Sequence, residues 1–401
     1  MTAPEAAHAQ MPAPAMRVLS SEGFRLFFPL AAIHAASWPI MWTLIYRLGL
    51  PFAGETPPGY WHANEMIFGT FGAALIGFIT TAAPEWTDTK PLRAKSLIAL
   101  AVLWGAARIA GLTGVSGPFF VLTYADVAWP LLLCVYIAGL SWKKRTSALF
   151  GFGFWLCALA AASLYIRILF VTGQAAEVQT ALHIAGLAML GLLGLALARI
   201  TVPVTNLILD PSEATSPFRP HPGRLHIAPG LTAIAMIAEV IALSPQVRAY
   251  LLIAAGAAFM DRIAEAFVGR RIFRAELLAL AGSSLFAGLG LMLVGAARLG
   301  APFAETPVWH LALMGGLGLG VLAVLSIAGL RHTGRSLGLP LGARIALLCG
   351  AGATLARVLP EMGAAPFPPG PPYAAPALLW AAAFLLWFRA YWPFLTSSDD
   401  G

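Results

Sequence analysis

From Phe24 almost to the C-terminus, apolar runs follow one another with only short polar breaks between them. A hydrocarbon core about 30 Å thick takes about 20 apolar residues to cross as a helix, and each run approaches or exceeds that length. The pattern predicts spans near 24–48, 62–84, 94–113, 121–142, 149–172, 181–203, 226–244, 248–268, 276–298, 307–330, 341–360 and 375–396. The polar breaks differ in charge. Those after even-numbered spans carry Lys90, Arg93 and Lys95; Lys143, Lys144 and Arg145; Arg219 and Arg224; Arg262, Arg270, Arg271 and Arg274; and Arg331, Arg335 and Arg344. The opposite ends carry about one arginine each: Arg47, Arg108, Arg167, Arg248, Arg298 and Arg357. Basic loops stay on the cytoplasmic side, so both termini are expected there, in agreement with an even number of spans.

The pattern also repeats. Pro91 opens a basic segment whose span carries Arg108, 17 residues on, and Pro340 opens one carrying Arg357 at the same distance. The middle copy starts at Pro222, and there the matching position is Glu239. His62, His183 and His310 hold equivalent places at the start of the second, sixth and tenth spans, 121 and 127 residues apart. Each is preceded by an acid (Glu55, Glu177, Glu305) and, earlier, by an arginine (Arg47, Arg167, Arg298). Repetition at fixed spacing is the mark of a repeat architecture. The expected fold is an all-α polytopic membrane protein: twelve transmembrane helices in three four-helix units over 23–145, 146–274 and 275–396, around a pseudo-threefold axis. Residues 1–22 are Ala/Pro-rich and read as a disordered cytoplasmic lead, and 397–401 as a cytoplasmic tail.

Composition strengthens the membrane reading. Of 401 residues, 59% are hydrophobic and 11% charged, where ordinary globular chains carry roughly a quarter charged. The mean hydropathy is +0.78. A net charge of +7 suggests nucleic acid in a soluble chain; here basic cytoplasmic loops account for it, and no nucleic-acid partner is expected. The partner is the lipid bilayer, and the oligomeric state is left open. Cys134, Cys157 and Cys349 all fall in apolar runs without a C-x-x-C pair, so neither a disulfide framework nor an iron–sulfur site is implied.

Candidate chemistry centres on eight histidines. If the three units surround one axis, His62, His183 and His310 converge on it, and imidazole suits copper, zinc and haem iron. The alternative is three interfacial residues that cap helix starts. His332 is either a basic cap before Gly334 or a haem ligand flanked by arginines. His34 lies within the first span, where an imidazole has to face the bundle interior; it and His226 form a second tier of ligand candidates. His226 matches the plain basic positions Lys95 and Arg344. Glu65 follows His62 by three residues and shares its helix face, so it either orients the histidine, binds a cation or carries protons, or is an interfacial acid that snorkels to the headgroups. Pro84 and Pro203 are expected to end or kink their helices. Arg199 is deep enough to need an acidic partner, and Glu239 or a haem propionate would serve.

These residues also carry a resemblance. Gly23-Phe24-Arg25-x-Phe27-Phe28, Trp61-His62-x-x-Glu65-Met66-x-Phe68-Gly69, Gly77-Phe78-x-Thr80-Thr81-Ala82-x-Pro84-x-Trp86-Thr87, Arg199-x-x-x-Pro203 and His332-Thr333-Gly334-Arg335 resemble the NnrS family over about 23–395. The resemblance implies a bacterial inner-membrane protein of twelve helices that contains haem b and copper. It also implies a role in denitrification and in the response to nitric oxide and nitrosative stress. On that basis Arg25, Glu65, Arg199 and Arg335 are candidate cofactor-binding residues beside His62, His183, His310 and His332. The chain departs from the family pattern at Asn64, where a second histidine is common, and at Glu85, Asp88 and Arg331. Ala281-Gly282-Ser283-Ser284 stands where the ninth helix often has a histidine.

A weaker likeness, of fold only, is to the catalytic subunit of haem–copper oxidases. Nitric oxide or a metal–nitrosyl species is the expected substrate, with a separate respiratory electron donor because no covalent haem motif is present. A multi-pass transporter is the rival reading, since repeats, broken helices and intramembrane charges are also what a substrate pathway needs. A haem or copper chaperone for a respiratory enzyme is the third.

Overall fold

The computed structural model of the protein describes residues 15–49, 56–114, 119–220 and 223–397. Helices and connecting turns make up the described residues, with no strand among them. In hydrocarbon every backbone N–H and C=O needs an internal partner, and a helix supplies it within one segment. The helices are α1 (Gly23–Leu48), α2 (Pro58–Trp86), α3 (Lys95–Thr113), α4 (Phe120–Lys144), α5 (Phe150–Val171), α6 (Val178–Leu209), α7 (Arg224–Val240), α8 (Pro245–Asp261), α9 (Ala275–Arg298), α10 (Glu305–Arg331), α11 (Leu341–Val358) and α12 (Ala374–Thr396).

Ten of them, all but α7 and α8, are long and apolar enough to cross a membrane, so the chain is a multi-pass membrane-type protein. The expected spans 226–244 and 248–268 are represented by α7 and α8, each 17 residues long. Arg262 and Glu265 pair at 3.1 Å with both side chains buried, and the chain there tightens into 3₁₀ turns over Arg262–Ala266 and Gly269–Phe273. Pro203 neither ends nor interrupts α6, which runs on to Leu209, whereas α2 stops two residues after Pro84.

Three helices form the interior. The apolar windows of α2, α6 and α10 are 89%, 78% and 78% buried, against 33–56% for the other spans. Outer helices turn residues such as Val102, Val135 and Leu348 to the surroundings, an apolar face that suits lipid rather than water. Successive helices pack on one another, and α12 returns to α1. Small residues allow the closest approaches. A Cβ on Gly256 of α8 would lie 2.5 Å from the Gly288 carbonyl of α9.

Two interior helices change pitch close to their histidines. A π-helical segment occupies Glu65–Phe71 in α2 and another Leu311–Gly318 in α10. Of the expected lead, residues 1–14 lie outside the described residues, while Ala15–Leu19 forms a short helix and the Ala94 N–H donates to the Ser20 carbonyl at 2.7 Å. His8, Glu55, His221, Pro222 and residues 398–401 also lie outside the described residues.

Candidate functional site

The end at which α2, α6 and α10 begin gathers half of the candidate side chains. His62 and His310 meet there, with ring centroids 6.2 Å apart and planes 14° from parallel. The His310 Nδ1–H donates to the Thr306 carbonyl one turn back, at 2.8 Å. That bond fixes the tautomer and leaves the Nε2 lone pair as the free donor, the arrangement in which a histidine commonly holds a metal. Trp42 lies 5.2 Å from His62 and 5.4 Å from Tyr373, and the Arg357 guanidinium covers the Tyr373 ring at 4.7 Å. His183 is held apart from this pair. Its ring stacks on Trp309 at 4.5 Å, and the Gln179 side chain occupies its Nε2 at 2.7 Å. Among the described residues no group of three or more His, Cys, Asp or Glu is placed to share a metal.

A second constellation lies deeper, between α1 and α5. Glu65 Oε2 accepts from Arg108 at 2.9 Å and lies 3.4 Å from His34 Nε2. Arg108 also pairs with Asp126. Asp126 accepts in turn from Arg167 at 2.9 Å, and Arg167 reaches Asn64 at 3.0 Å. His34 completes the cluster through Thr70, at 2.8 Å from Nδ1, and stacks on Trp38 at 4.1 Å. All four charged groups are buried, and two cations balance two anions. Removing charge from water in this way is tolerated only with such pairing.

Glycine makes the geometry possible. A Cβ on Gly69 would lie 2.6 Å from His34 Nε2, and one on Gly111 2.6 Å from Glu65 Oε1. Glu65 Oε1 and the Trp61 indole N–H have no well-formed hydrogen bond. Both line a cavity of about 40 Å³ that also touches Asn64, Gly111 and Arg167, larger than the roughly 10–15 Å³ one water needs.

Sequence reasoning placed Glu65 and His34 among candidates but did not single out Asp126, which bridges both arginines. The available signal was a lone acid inside an apolar span, a group that always needs a partner. His34 belongs to this ion-pair cluster and not to the imidazole pair. The repeat order Arg–Glu–His is realised in part: Arg298 donates to Glu305 at 3.1 Å.

The remaining candidates sit at the opposite end and bind the fold together. Arg25 donates to the carbonyls of Leu395 and Ser397, each at 2.9 Å, and so caps α12. His332 packs on Phe24 at 5.3 Å, and Arg335 covers Phe394 at 4.2 Å. Gly334, at φ +70°, turns the chain out of α10 while the Arg335 N–H closes on the Leu330 carbonyl at 2.9 Å, the glycine stop expected there. Burial holds the His332 imidazole below its ordinary value; Arg331 pushes the same way and Glu85 opposes.

Arg199 donates to the Ala148 carbonyl and lies 4.5 Å over Trp86. Its expected partner Glu239 is instead held by Arg298 and, at 2.9 Å, by Arg248. The reason is placement, because Glu239 sits beside the start of α8 and the end of α9. His226 is exposed at the start of α7. A groove of about 330 Å³ nearby is lined by Asn206, Asp210, Glu213 and Arg331.

A family model described as "NnrS protein" matches residues 18–398. No curated protein matches the chain.

Proposed function

Because the chain belongs to the NnrS family, we propose that it is a metal-dependent protein of the bacterial inner membrane that acts in the response to nitric oxide. The observation that carries this reading is the His62–His310 pair, whose second imidazole is locked in the tautomer that frees Nε2. Copper fits that donor set, since imidazole is a good ligand for it and two histidines with no anionic group suit its low charge state. Bound there, copper would supply a centre that takes nitric oxide as a ligand and exchanges one electron. The protein's own part is to orient the two rings, through Thr306 and Trp42, and to keep an apolar interior through which a lipid-soluble gas travels.

Haem b is the second cofactor in this reading. Neither the cavity at Glu65 nor the groove at Asp210 includes a histidine, so these two cavities do not fit a macrocycle. The layout proposed is twelve crossings in three four-helix units with both termini cytoplasmic. It is supported by the burial of α2, α6 and α10, each second in its unit, and by a length of 17 residues for α7 and α8, at the lower limit for a crossing.

Metal analysis and the absorption spectrum of the purified protein test the proposal. His62→Ala and His310→Ala should each remove most of the bound copper, and His183→Ala should leave it. Wild-type protein without copper, or both variants with undiminished copper, would sink the assignment. A missing Soret band after haem supplementation would remove haem from it.

A further inference from the structure

One pair of reactive side chains lies apart from both the imidazole pair and the ion-pair cluster. Cys134 of α4 and Cys157 of α5 face each other with sulfurs 3.3 Å apart. Cys134 Sγ also lies 3.8 Å from the Gly153 carbonyl, and a Cβ at Gly153 would be in contact with it. Neither thiol is bonded. The pair opens outward: Cys157 is exposed, and Leu131, Val135 and Phe154 on the same two helices are exposed with it. At about 1.5 Å per helical residue, Cys134 lies about 15 Å from the Lys144 end of α4 and Cys157 about 10 Å from the Phe150 end of α5. The sulfurs therefore sit at hydrocarbon depth, facing lipid.

That location selects the reactants. Exchange with water-soluble disulfides needs a thiolate, and apolar surroundings disfavour the charged form. Small uncharged oxidants dissolved in the bilayer are the ones that reach the pair. Two thiols in contact also turn a bimolecular second step into an intramolecular one, and the sulfurs have to close only from 3.3 Å to the bond length of about 2.05 Å.

We infer that Cys134 and Cys157 form a lipid-facing dithiol that uncharged nitrosating nitrogen oxides modify and then close to a disulfide. In the first step one thiol reacts with dinitrogen trioxide: its sulfur gains a nitroso group, and its proton leaves with the nitrite portion as nitrous acid. In the second step the neighbouring thiol attacks that sulfur; the S–N bond breaks, the S–S bond forms, and the nitroso group leaves with the second proton as nitroxyl. Both sulfurs are oxidised by one electron each, and the departing nitrogen takes up the pair. The inference rests on the proposed nitric oxide role only for the presence of such oxides; the thiol chemistry needs no metal.

The test uses the full-length protein in liposomes exposed to nitric oxide in aerated buffer, with maleimide titration after denaturation and intact mass as readouts. The expected result is a fall from three reactive thiols to one, Cys349, with loss of two hydrogens that dithiothreitol reverses. Cys134→Ser and Cys157→Ser should each stop at a nitrosothiol, with a gain of one nitroso group and no disulfide. Wild-type protein that keeps all its thiols, or accumulates nitrosothiol without closing, overturns the inference. So does closure with diamide but not with the nitrogen oxides. Copper-free protein that still closes supports the inference, and the copper assignment then stands or falls by the metal analysis alone.

Discussion

At the residue scale the ion-pair cluster is the most demanding feature of the molecule. Arg108 is shared between Glu65 and Asp126, and Asp126 between Arg108 and Arg167, so the four charges cancel only as a set. Removing one partner from such a set leaves an uncompensated buried charge and costs about 3–5 kcal/mol. Arg108→Met should therefore lower the unfolding midpoint in detergent sharply. Adding Glu65→Gln restores neutrality, because Asp126 still has Arg167 at 2.9 Å, and the double variant should recover part of the loss. A double variant less stable than Arg108→Met would show that the four groups do not act as a set. How far this cluster was legible differs by residue. Arg108 and Arg167 stood out as repeated arginines and Glu65 by its spacing from His62, but pairing runs across α2, α3, α4 and α5, and no local pattern reports it. Asp126 takes no part in the repeated Arg–Glu–His order, so nothing in the sequence pattern draws attention to it.

At the scale of the element, most of what the hydrophobic pattern predicts is present, because span length follows from bilayer thickness and helix rise alone. The pattern gives no sign that α8 is followed by 3₁₀ turns over a buried Arg262–Glu265 pair. It was also blind to the two π segments, since pitch depends on neighbouring packing rather than on hydropathy. Close helix approach is legible only in retrospect. Glycines are frequent everywhere in the chain, yet the α8–α9 contact depends on two particular ones. A Cβ on Gly288 would meet the Gly256 carbonyl at 2.8 Å, the reciprocal of the contact Gly256 makes with Gly288. Because the atoms met are backbone, neither helix can yield by rotating a side chain. Gly288→Leu should cost at least about 1–3 kcal/mol, the usual penalty for overpacking, seen as a lower thermal midpoint. Gly105→Leu, in open space on α3, is the matched control and should change little.

For the whole molecule, the question is whether the three proposed units are chemically interchangeable. The position 17 residues past each unit's proline is Arg108, Glu239 or Arg357, and its surroundings differ accordingly. Arg108 is met by two acids. Arg357 faces Glu361 at 2.6 Å. Glu239 is met by two arginines, Arg248 at 2.9 Å and Arg298. At 239 an acid thus stands where arginine stands at 108 and 357, and its partners are arginines instead of acids, which keeps each local charge sum small while removing any equivalence of the side chains. The imidazoles diverge in the same way, since His62 and His310 pair while His183 turns to Trp309 and Gln179. A sequence-level rule that restores the majority residue would predict that Glu239→Arg is harmless or stabilising. The contacts predict the opposite. An arginine at 239 would set three guanidiniums together, with Glu305 on Arg298 left to offset them, in a position where Glu239 itself is 5% exposed. Glu239→Gln removes one charge and leaves Arg248 and Arg298 partly hydrated, so it should be the milder change; Glu239→Arg adds a repulsion on top of the lost pairing, which alone is worth about 3–5 kcal/mol when buried. Yield in the membrane and the unfolding midpoint in detergent would rank the two. If Glu239→Arg matched or exceeded Glu239→Gln, position in the repeat would outweigh the partners at hand, and the unit structure would be a closer guide to this fold than its ion pairs.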